Sequence, residues 1–263
     1  MALLLMAAAA DTESIQGGAL YTVPSGSSDT ITSISGTFRV PEASIPLIGP
    51  TSGHEGIYGF SIWVGIGGYQ GFGSASACPE TSGALRAGID VYYNGFSDRP
   101  MTPFAWYQFG LAGNGAFAYA GFNLEAGDLI RITVNTEEGN LTAIVENYGK
   151  VDSTAGRTPL QREPPTYGIQ GDIASTLCRT EAGWIVQDHM TETEPAEPVV
   201  MANFTDITFT EMSFQTSSGA SGAVTAAKPV NINLPEQGGQ LTDCSTVNES
   251  EFRCRRVVVG ASP

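Results

Sequence analysis

The sequence predicts an all-β protein whose strands pack as a sandwich or a barrel. Nine segments rich in β-branched and aromatic residues alternate in part between apolar and polar positions, as half-buried strands do. No stretch carries a helical hydrophobic period over several turns. The 32 glycines fall between these segments without a fixed period, which favours many turns over collagen or disorder.

The predicted strands are, in chain order, ITSISGTFRV, YGFSIWVGI, ALRAGIDVYY, TPFAWYQFGL, DLIRITVN, NLTAIVENY, GWIVQD, PVVMANF and DITFTEMSF. The runs LTDCST and FRCRRVVV follow as a terminal hairpin. We expect residues 14–263 to form one domain, because the strands after the Ser/Gly/Ala-rich residues 216–227 are too few to form a second. Residues 1–13 are predicted to be a signal-like segment, since MALLLMAAAA is apolar and too short to span a bilayer.

The charge balance limits the partners of this chain. Only 12 basic residues stand against 27 acidic ones, and the formal net charge is -15. Phosphate backbones and anionic membranes are therefore unfavourable partners, so we expect neither nucleic-acid nor membrane binding. An excess of acids suits a protein kept soluble in acidic surroundings, although acidic intracellular proteins are also common.

The four cysteines predict two disulfides. Their spacings match no zinc pattern, and an even number of cysteines in a secreted chain indicates disulfide pairs. Cys244 and Cys254 lie in the two strands of the terminal hairpin, where a cross-strand bridge fits. Cys78 and Cys178 would then pair over a long loop.

Secretion is favoured over a cytosolic location by the apolar N-terminal run, the cysteines and three glycosylation triplets. The triplets begin at Asn140, Asn203 and Asn248. They add only modest weight, because such triplets also arise by chance. We expect an extracellular, acidic location.

Three strands carry one tryptophan each, in SIWVGIGG, FAWYQF and AGWIVQD. Any one of Trp63, Trp106 and Trp184 is most simply a core residue. Together, each beside polar positions, they are also compatible with the lining of an open groove. The chain has no GxSxG motif, and neither His54 nor His189 stands in a context that indicates a Ser-His-Asp triad.

The ordered set SIWVGIGG, LRAGIDVYY, FAWYQF, GDLIRITV, LTAIVEN, LCRTEAGWIVQD and FTDITFT resembles the fungal glutamic peptidases, also called eqolisins. The resemblance runs from about Gly17 to the C-terminus. It implies a concanavalin A-like sandwich of two antiparallel sheets, of the jelly-roll type, and a secreted acid endopeptidase. It also implies a substrate groove on the concave face of one sheet. A glutamate there acts as general base on a water, and a glutamine stabilises the oxyanion.

Carried onto this chain, the family's glutamine falls on Arg86 and its glutamate falls on Gly183, immediately before Trp184. The acidic residue that follows WVGI in the family is replaced by Gly67, and a tryptophan near the family's mature N-terminus by Gln16. Asp90, Trp63 and Trp184 are kept. The resemblance also strengthens the pairing of Cys78 with Cys178, which fall near the family's disulfide.

Loss of the glutamate removes the general base, which is typically worth about 10²–10⁴-fold in rate. Arginine remains a strong donor, so the change at Arg86 is less damaging by itself. We therefore expect a peptidase-like protein that binds a peptide or protein in the groove without cutting it, and that acts as a monomer without cofactor or metal. The residues expected to contact the ligand are Trp63, Arg86, Asp90, Trp106, Trp184 and Gln187.

Two alternatives stay open. Glu181 lies two residues before Gly183 on the same strand face and would serve as a relocated base in an active acid endopeptidase, although a solvated Glu181 is the simpler interpretation. A carbohydrate-binding module is the other alternative, and it rests on fold analogy alone.

Overall fold

The computed structural model describes residues 13–46, 56–69, 78, 82–111, 115–136, 141–163, 176–190 and 196–257. In chain order the strands are β1 (Gln16–Thr22), β2 (Ile31–Arg39), β3 (Ile57–Ile66), β4 (Gly83–Asn94), β5 (Arg99–Pro100), β6 (Phe104–Leu111), β7 (Phe117–Ala118), β8 (Leu129–Asn135), β9 (Thr142–Asn147), β10 (Gln161–Arg162), β11 (Glu181–Asp188), β12 (Asp206–Thr216), β13 (Ser221–Gly222), β14 (Lys228–Val230), β15 (Asn233–Leu234), β16 (Gly239–Gln240), β17 (Thr242–Asn248) and β18 (Glu251–Arg256). Two short 3-10 helices span Val224–Ala226 and Pro235–Gln237.

Two large antiparallel sheets form a β-sandwich, as the sequence predicts. The first sheet has the order β14-β1-β11-β3-β4-β6-β7, with β5 paired to β4. The second has the order β10-β9-β8-β2-β12-β18-β17, with β13 paired to β12, and β15 pairs separately with β16. Strands distant in sequence are neighbours in both sheets, so the fold depends on long-range pairing.

Alternation along the strands builds the core between the sheets. Even positions of β3 and β11, such as Phe60, Ile62 and Trp184, are buried there. Odd positions of β4, such as Leu85 and Ile89, join the same core. The indole N–H of Trp184 donates to the carbonyl oxygen of Ser35 in the second sheet at 2.8 Å. The remaining face of the first sheet, called the outer face below, points away from the second sheet.

Two strand predictions were wrong. β1 was not anticipated, because QGGALYT contains two adjacent glycines and little alternation. It is specified by pairing with β11 over its whole length. In contrast, PVVMANF forms no strand, and Pro198, Met201 and Asn203 make isolated bridges only. Proline lacks the N–H that a continuous ladder requires.

Both predicted disulfides are confirmed. Cys78 pairs with Cys178, a sequence separation of 100 residues, and Cys244 pairs with Cys254 across β17 and β18. No cysteine is free. The first bridge ties the segment after β3 to the segment before β11, close to the central strands of the first sheet. Both bridges are consistent with an extracellular protein.

The glycosylation triplets stay predictions. Asn248 is exposed at the end of β17, and its Nδ2 donates to Glu251 at 2.8 Å. Asn203 is partly buried, and its Nδ2 donates to the carbonyl oxygen of Ile45 at 2.8 Å. Asn140 lies outside the described residues. None of the helices among the described residues is long and apolar enough to cross a membrane.

Candidate functional site

The site lies on the outer face of the first sheet, where β1, β11, β3, β4 and β6 run side by side. Their register places residues from different strands in rows across the sheet. The first row contains Leu20, Gly183, Gly65, Arg86 and Gln108. The second contains Gly18, Ile185, Trp63, Gly88 and Trp106. The third contains Gln16, Gln187, Ser61, Asp90 and Phe104.

Arg86 and Gly183 therefore share one row, with only Gly65 between them. The two backbones are about 10 Å apart, which is two strand spacings. Arg86 lies over Gly65, since a Cβ at Gly65 would come within 2.5 Å of the Arg86 Cβ. Glycine at that position thus permits the arginine to lean across β3 towards β11.

Hydrogen bonds from neighbouring strands hold the Arg86 guanidinium. Its Nε donates to Oε1 of Gln108 in a short bond, and its Nη1 donates to Oε1 of Gln187 at 3.4 Å. The guanidinium carbon lies 5.0 Å from the ring centre of Trp63 and 5.8 Å from that of Trp106. Such cation–π contacts stabilise a partly desolvated cation. Arg86 therefore lies outside the core, with Gln187 within hydrogen-bond reach.

No described carboxylate lies within salt-bridge distance of Arg86. Burial lowers the pKa of its guanidinium to about 10, against the opposing effect of the negative charge of Asp90. The group nevertheless stays protonated at neutral and acid pH. Arg86 is thus a fixed cation whose two amide partners are neutral.

The side-chain oxygen of Gln187, on β11, accepts hydrogen bonds from side chains on three other strands, β1, β3 and β4. Its Oε1 accepts from Nε2 of Gln16 at 2.8 Å, from the indole N–H of Trp63 at 2.9 Å and from Arg86. Nε2 of Gln16 also approaches the carbonyl oxygen of Gly68 at 3.4 Å. Gln16, at the position of a family tryptophan, therefore helps to orient the partner of Arg86.

Asp90 organises a second polar group on this face. Its Oδ1 accepts from the Ser61 hydroxyl at 2.6 Å and from the indole N–H of Trp106 at 2.7 Å. The Tyr92 hydroxyl lies 3.4 Å from Oδ2 of Asp90 and 3.2 Å from Nδ1 of His189. Burial, together with the charge of Asp90, raises the pKa of Tyr92 well above its usual value, so the phenol stays neutral.

Ser61, His189 and Asp90 are close together but do not form a catalytic triad. The serine hydroxyl bonds to the carboxylate directly and is 3.4 Å from Nε2 of His189. Nδ1 of His189 faces Tyr92 instead of the carboxylate. In a triad the imidazole stands between serine and aspartate, with the aspartate on its other nitrogen. This arrangement cannot activate Ser61 as a nucleophile.

Glu181 is neither solvated nor paired with Arg86. Its side chain is fully buried at the start of β11 on the outer face, where its negative charge helps raise the pKa of Tyr69 after the larger effect of burial. The description of Glu181 as a solvated residue was wrong, because its side chain is 0% exposed. On the same face, Tyr69 forms an apolar cluster with Leu20, Trp63, Trp106 and Ile185. Among the described residues, Glu181 and Arg86 do not form an ion pair with each other.

The tryptophans differ from their predicted role. Trp184 was predicted to contact ligand, and this is wrong because it occupies an even position of β11 and packs between the sheets. Trp63 and Trp106 do lie on the outer face, yet they are 0% and 5% exposed. They close over Gly88, where an added Cβ would meet Cζ2 of Trp106 and Cβ of Trp63 at 2.8 Å each. An open groove lined by exposed indoles is therefore absent from the described part of this face.

Side chains that remain accessible here are Arg86, Asp90, Tyr92, Phe104, Gln187 and His189. Gln108, Ser61, Tyr92, Phe104 and His189 also belong to the site, although they were not predicted from the sequence to do so. Gln108 follows Trp106 by two residues and so shares its face, which is a signal that alternation alone could supply. His189 lies just beyond β11, and only strand register brings it to Asp90. The described residues contain no cluster of three or more potential metal ligands.

The fold and these rows agree with one protein family. The profile of the Peptidase A4 family matches residues 14–256, so the chain belongs to that family. Among its relatives, Aspergillopepsin-2 from Aspergillus niger is 30% identical over 236 residues, covering 84% of this chain and 72% of the relative.

Among solved structures, the crystal structure of scytalido-glutamic peptidase with a transition state analog inhibitor superposes with a TM-score of 0.67. It is 25% identical, and the match covers 94% of this chain and all of that one. The family relationship and the β-sandwich predicted from the sequence are both confirmed.

Proposed function

We propose that this protein binds peptide segments on the outer face of its first sheet and does not hydrolyse them. The observation that carries the proposal is Gly183, which stands where the family resemblance places the general base and has no side chain to accept a proton. Arg86 stands where the resemblance places the partner glutamine. A secreted, monomeric protein working in acidic surroundings fits the composition and the disulfides.

Other carboxylates on this face are poorly suited to replace the missing base. Asp90 accepts short hydrogen bonds from Ser61 and Trp106, which occupy its Oδ1. Glu181 is fully buried, with 0% of its surface exposed. A general base must reach a water beside the scissile carbonyl, and a sealed side chain does not do so without rearrangement. These placements disfavour the alternative of an active enzyme with Glu181 as a relocated base.

The test is a digestion assay in which this protein is incubated with an acid-denatured substrate protein between about pH 2 and pH 5. In this range a glutamate near its reference pKa is partly ionised. We expect no turnover above a heat-inactivated control. The same preparation should retain peptides in equilibrium dialysis. Robust turnover that Glu181→Gln abolishes would replace this proposal with the relocated-base enzyme.

A further inference from the structure

The geometry points to Arg86 as the recognition group for a carboxylate of a bound peptide, an inference that rests on the proposed peptide-binding function. The carboxylate is supplied either by the C-terminus of the peptide or by one of its Asp or Glu side chains. Both sources present the same planar, singly charged group. The outer face would thus select acidic peptides or the free ends of cleaved chains.

The donor inventory of Arg86 supports this assignment. Nε and Nη1 are engaged by Gln108 and Gln187, whereas Nη2 has no hydrogen bond to a described residue. Within the described chain, only Nε of Arg253 and Nε of Arg256 are both sealed from solvent and unsatisfied. Nη2 of Arg86 therefore keeps solvent access. A guanidinium edge with free N–H groups matches the two oxygens of a carboxylate.

The charge environment of Arg86 also supports its assignment as a carboxylate-binding group. Four other cations among the described residues pair with carboxylates within 4 Å, namely Arg39 with Asp152, Lys150 with Glu125, Arg162 with Glu146 and Arg253 with Asp206, whereas Arg86 has no described carboxylate within that distance. Arg86 is more enclosed than a surface cation and has only neutral hydrogen-bond partners. A desolvated charge without a counterion is unfavourable, and a ligand carboxylate would supply that counterion.

The guanidinium of Arg86 is also held in its orientation before any ligand binds. Trp63 and Trp106 support the guanidinium from below, and the amides of Gln108 and Gln187 fix its rotation. Binding a ligand would therefore cost little additional side-chain entropy. Gly183, in the same row as Arg86, has no side chain that could supply a carboxylate to it.

Equilibrium dialysis of a random N-acetylated tetrapeptide pool, read by mass spectrometry, tests the inference. The pool is made once with free C-terminal carboxyl groups and once as C-terminal amides, so that members differ only in charge. Within the amide pool, Glu-containing members are compared with their Gln counterparts. At pH 6 we expect the protein to retain carboxylate-bearing peptides about tenfold or more better than their uncharged counterparts. This preference should appear in the comparison of free C-terminal acids with amides, in the comparison of Glu with Gln members, or in both. The preferential retention of carboxylate-bearing peptides should disappear at about pH 2.5, where their carboxylates are protonated.

Arg86→Gln should abolish the enrichment, whereas Arg255→Gln, an equal charge change at an exposed position of β18 in the second sheet, should keep it. Circular dichroism and urea unfolding check that both variants fold. Equal retention of acid and amide members by the wild type would overturn this inference and leave the proposed function standing. Enrichment that survives Arg86→Gln would also overturn it. Retention of no peptide from either pool would overturn both.

Discussion

Arg86 and Gly183 lie in one cross-strand row of the first sheet, separated only by Gly65 on the strand between them. The family resemblance places a glutamine and a glutamate at these two positions. The resemblance therefore predicts that both side chains of the family's catalytic pair are replaced on this row. A cation with neutral partners occupies one end, and a residue without a side chain occupies the other.

Restoring the pair should create activity. We expect Arg86→Gln with Gly183→Glu to cleave acid-denatured protein at acid pH, at least about 10²-fold faster than the wild type, because a general base is worth about 10²–10⁴-fold. An added Cβ at Gly183 would meet Cγ1 of Ile185 at 2.9 Å, so that flexible side chain must shift. The double variant with Ile185→Ala relieves this contact, because alanine lacks both Cγ1 and Cδ1. A folded double variant without turnover, with or without that third change, would contradict the expectation.

Asp90 should contribute to stability through its acceptor atoms and not mainly through its charge. Asp90→Ala leaves the indole N–H of the buried Trp106 and the Ser61 hydroxyl without their acceptor, and should cost about 1–3 kcal/mol in the free energy of unfolding. Asp90→Asn keeps one oxygen and should cost less. Urea unfolding at pH 6 measures both. Equal losses for the two variants would show that the charge dominates.

Asp188 should make the protein more stable at acid pH. Burial raises the pKa of this carboxyl well above its usual value, against the lowering effect of hydrogen bonds from Gln237 and the His189 amide. Because the folded state binds the proton more tightly than the unfolded state, the stabilisation is fully present below the unfolded pKa of about 3.8. It is lost as pH rises through the elevated folded value.

The measurement is thermal unfolding from pH 3 to pH 8 on the wild type and Asp188→Asn, and the substitution should reduce the loss of stability with rising pH. Asp152→Asn, at an exposed surface carboxylate, is the matched control and should leave the profile unchanged. An unchanged profile in Asp188→Asn would contradict the assigned role.

The two disulfides should differ in their contribution to stability. In the chain-entropy model a closed loop of about 100 residues contributes roughly 4.7 kcal/mol, whereas one of about 15 residues contributes roughly 3 kcal/mol. Replacing Cys78 and Cys178 by serine should therefore cost more than replacing Cys244 and Cys254, whose separation is 10 residues. Denaturant unfolding of the two double variants compares them. The reverse order would indicate that local strain or residual structure dominates.

Much of the architecture was determined by local sequence. Period-two alternation in IWVGI and LRAGIDVYY placed Arg86 and Asp90 on one face and Leu85 and Ile89 on the other, because side chains of a strand point to opposite sides. The ordered motifs identified the family, and the motif positions located Arg86 and Gly183. The cysteine positions gave both disulfides, since one pair lies in a hairpin.

Tertiary structure decided which of these residues are accessible and what they contact. Gln16, Gln108 and His189 are far from Arg86 and Asp90 in sequence, and only the register of β1, β11 and β6 brings them together. Burial of Trp63 and Trp106 involves Tyr69 and Leu20, which come from other segments and join the same apolar cluster. Alternation specifies the face on which a side chain lies, but long-range packing determines whether water reaches it. For this reason the indoles of Trp63 and Trp106 support Arg86 instead of lining an open groove.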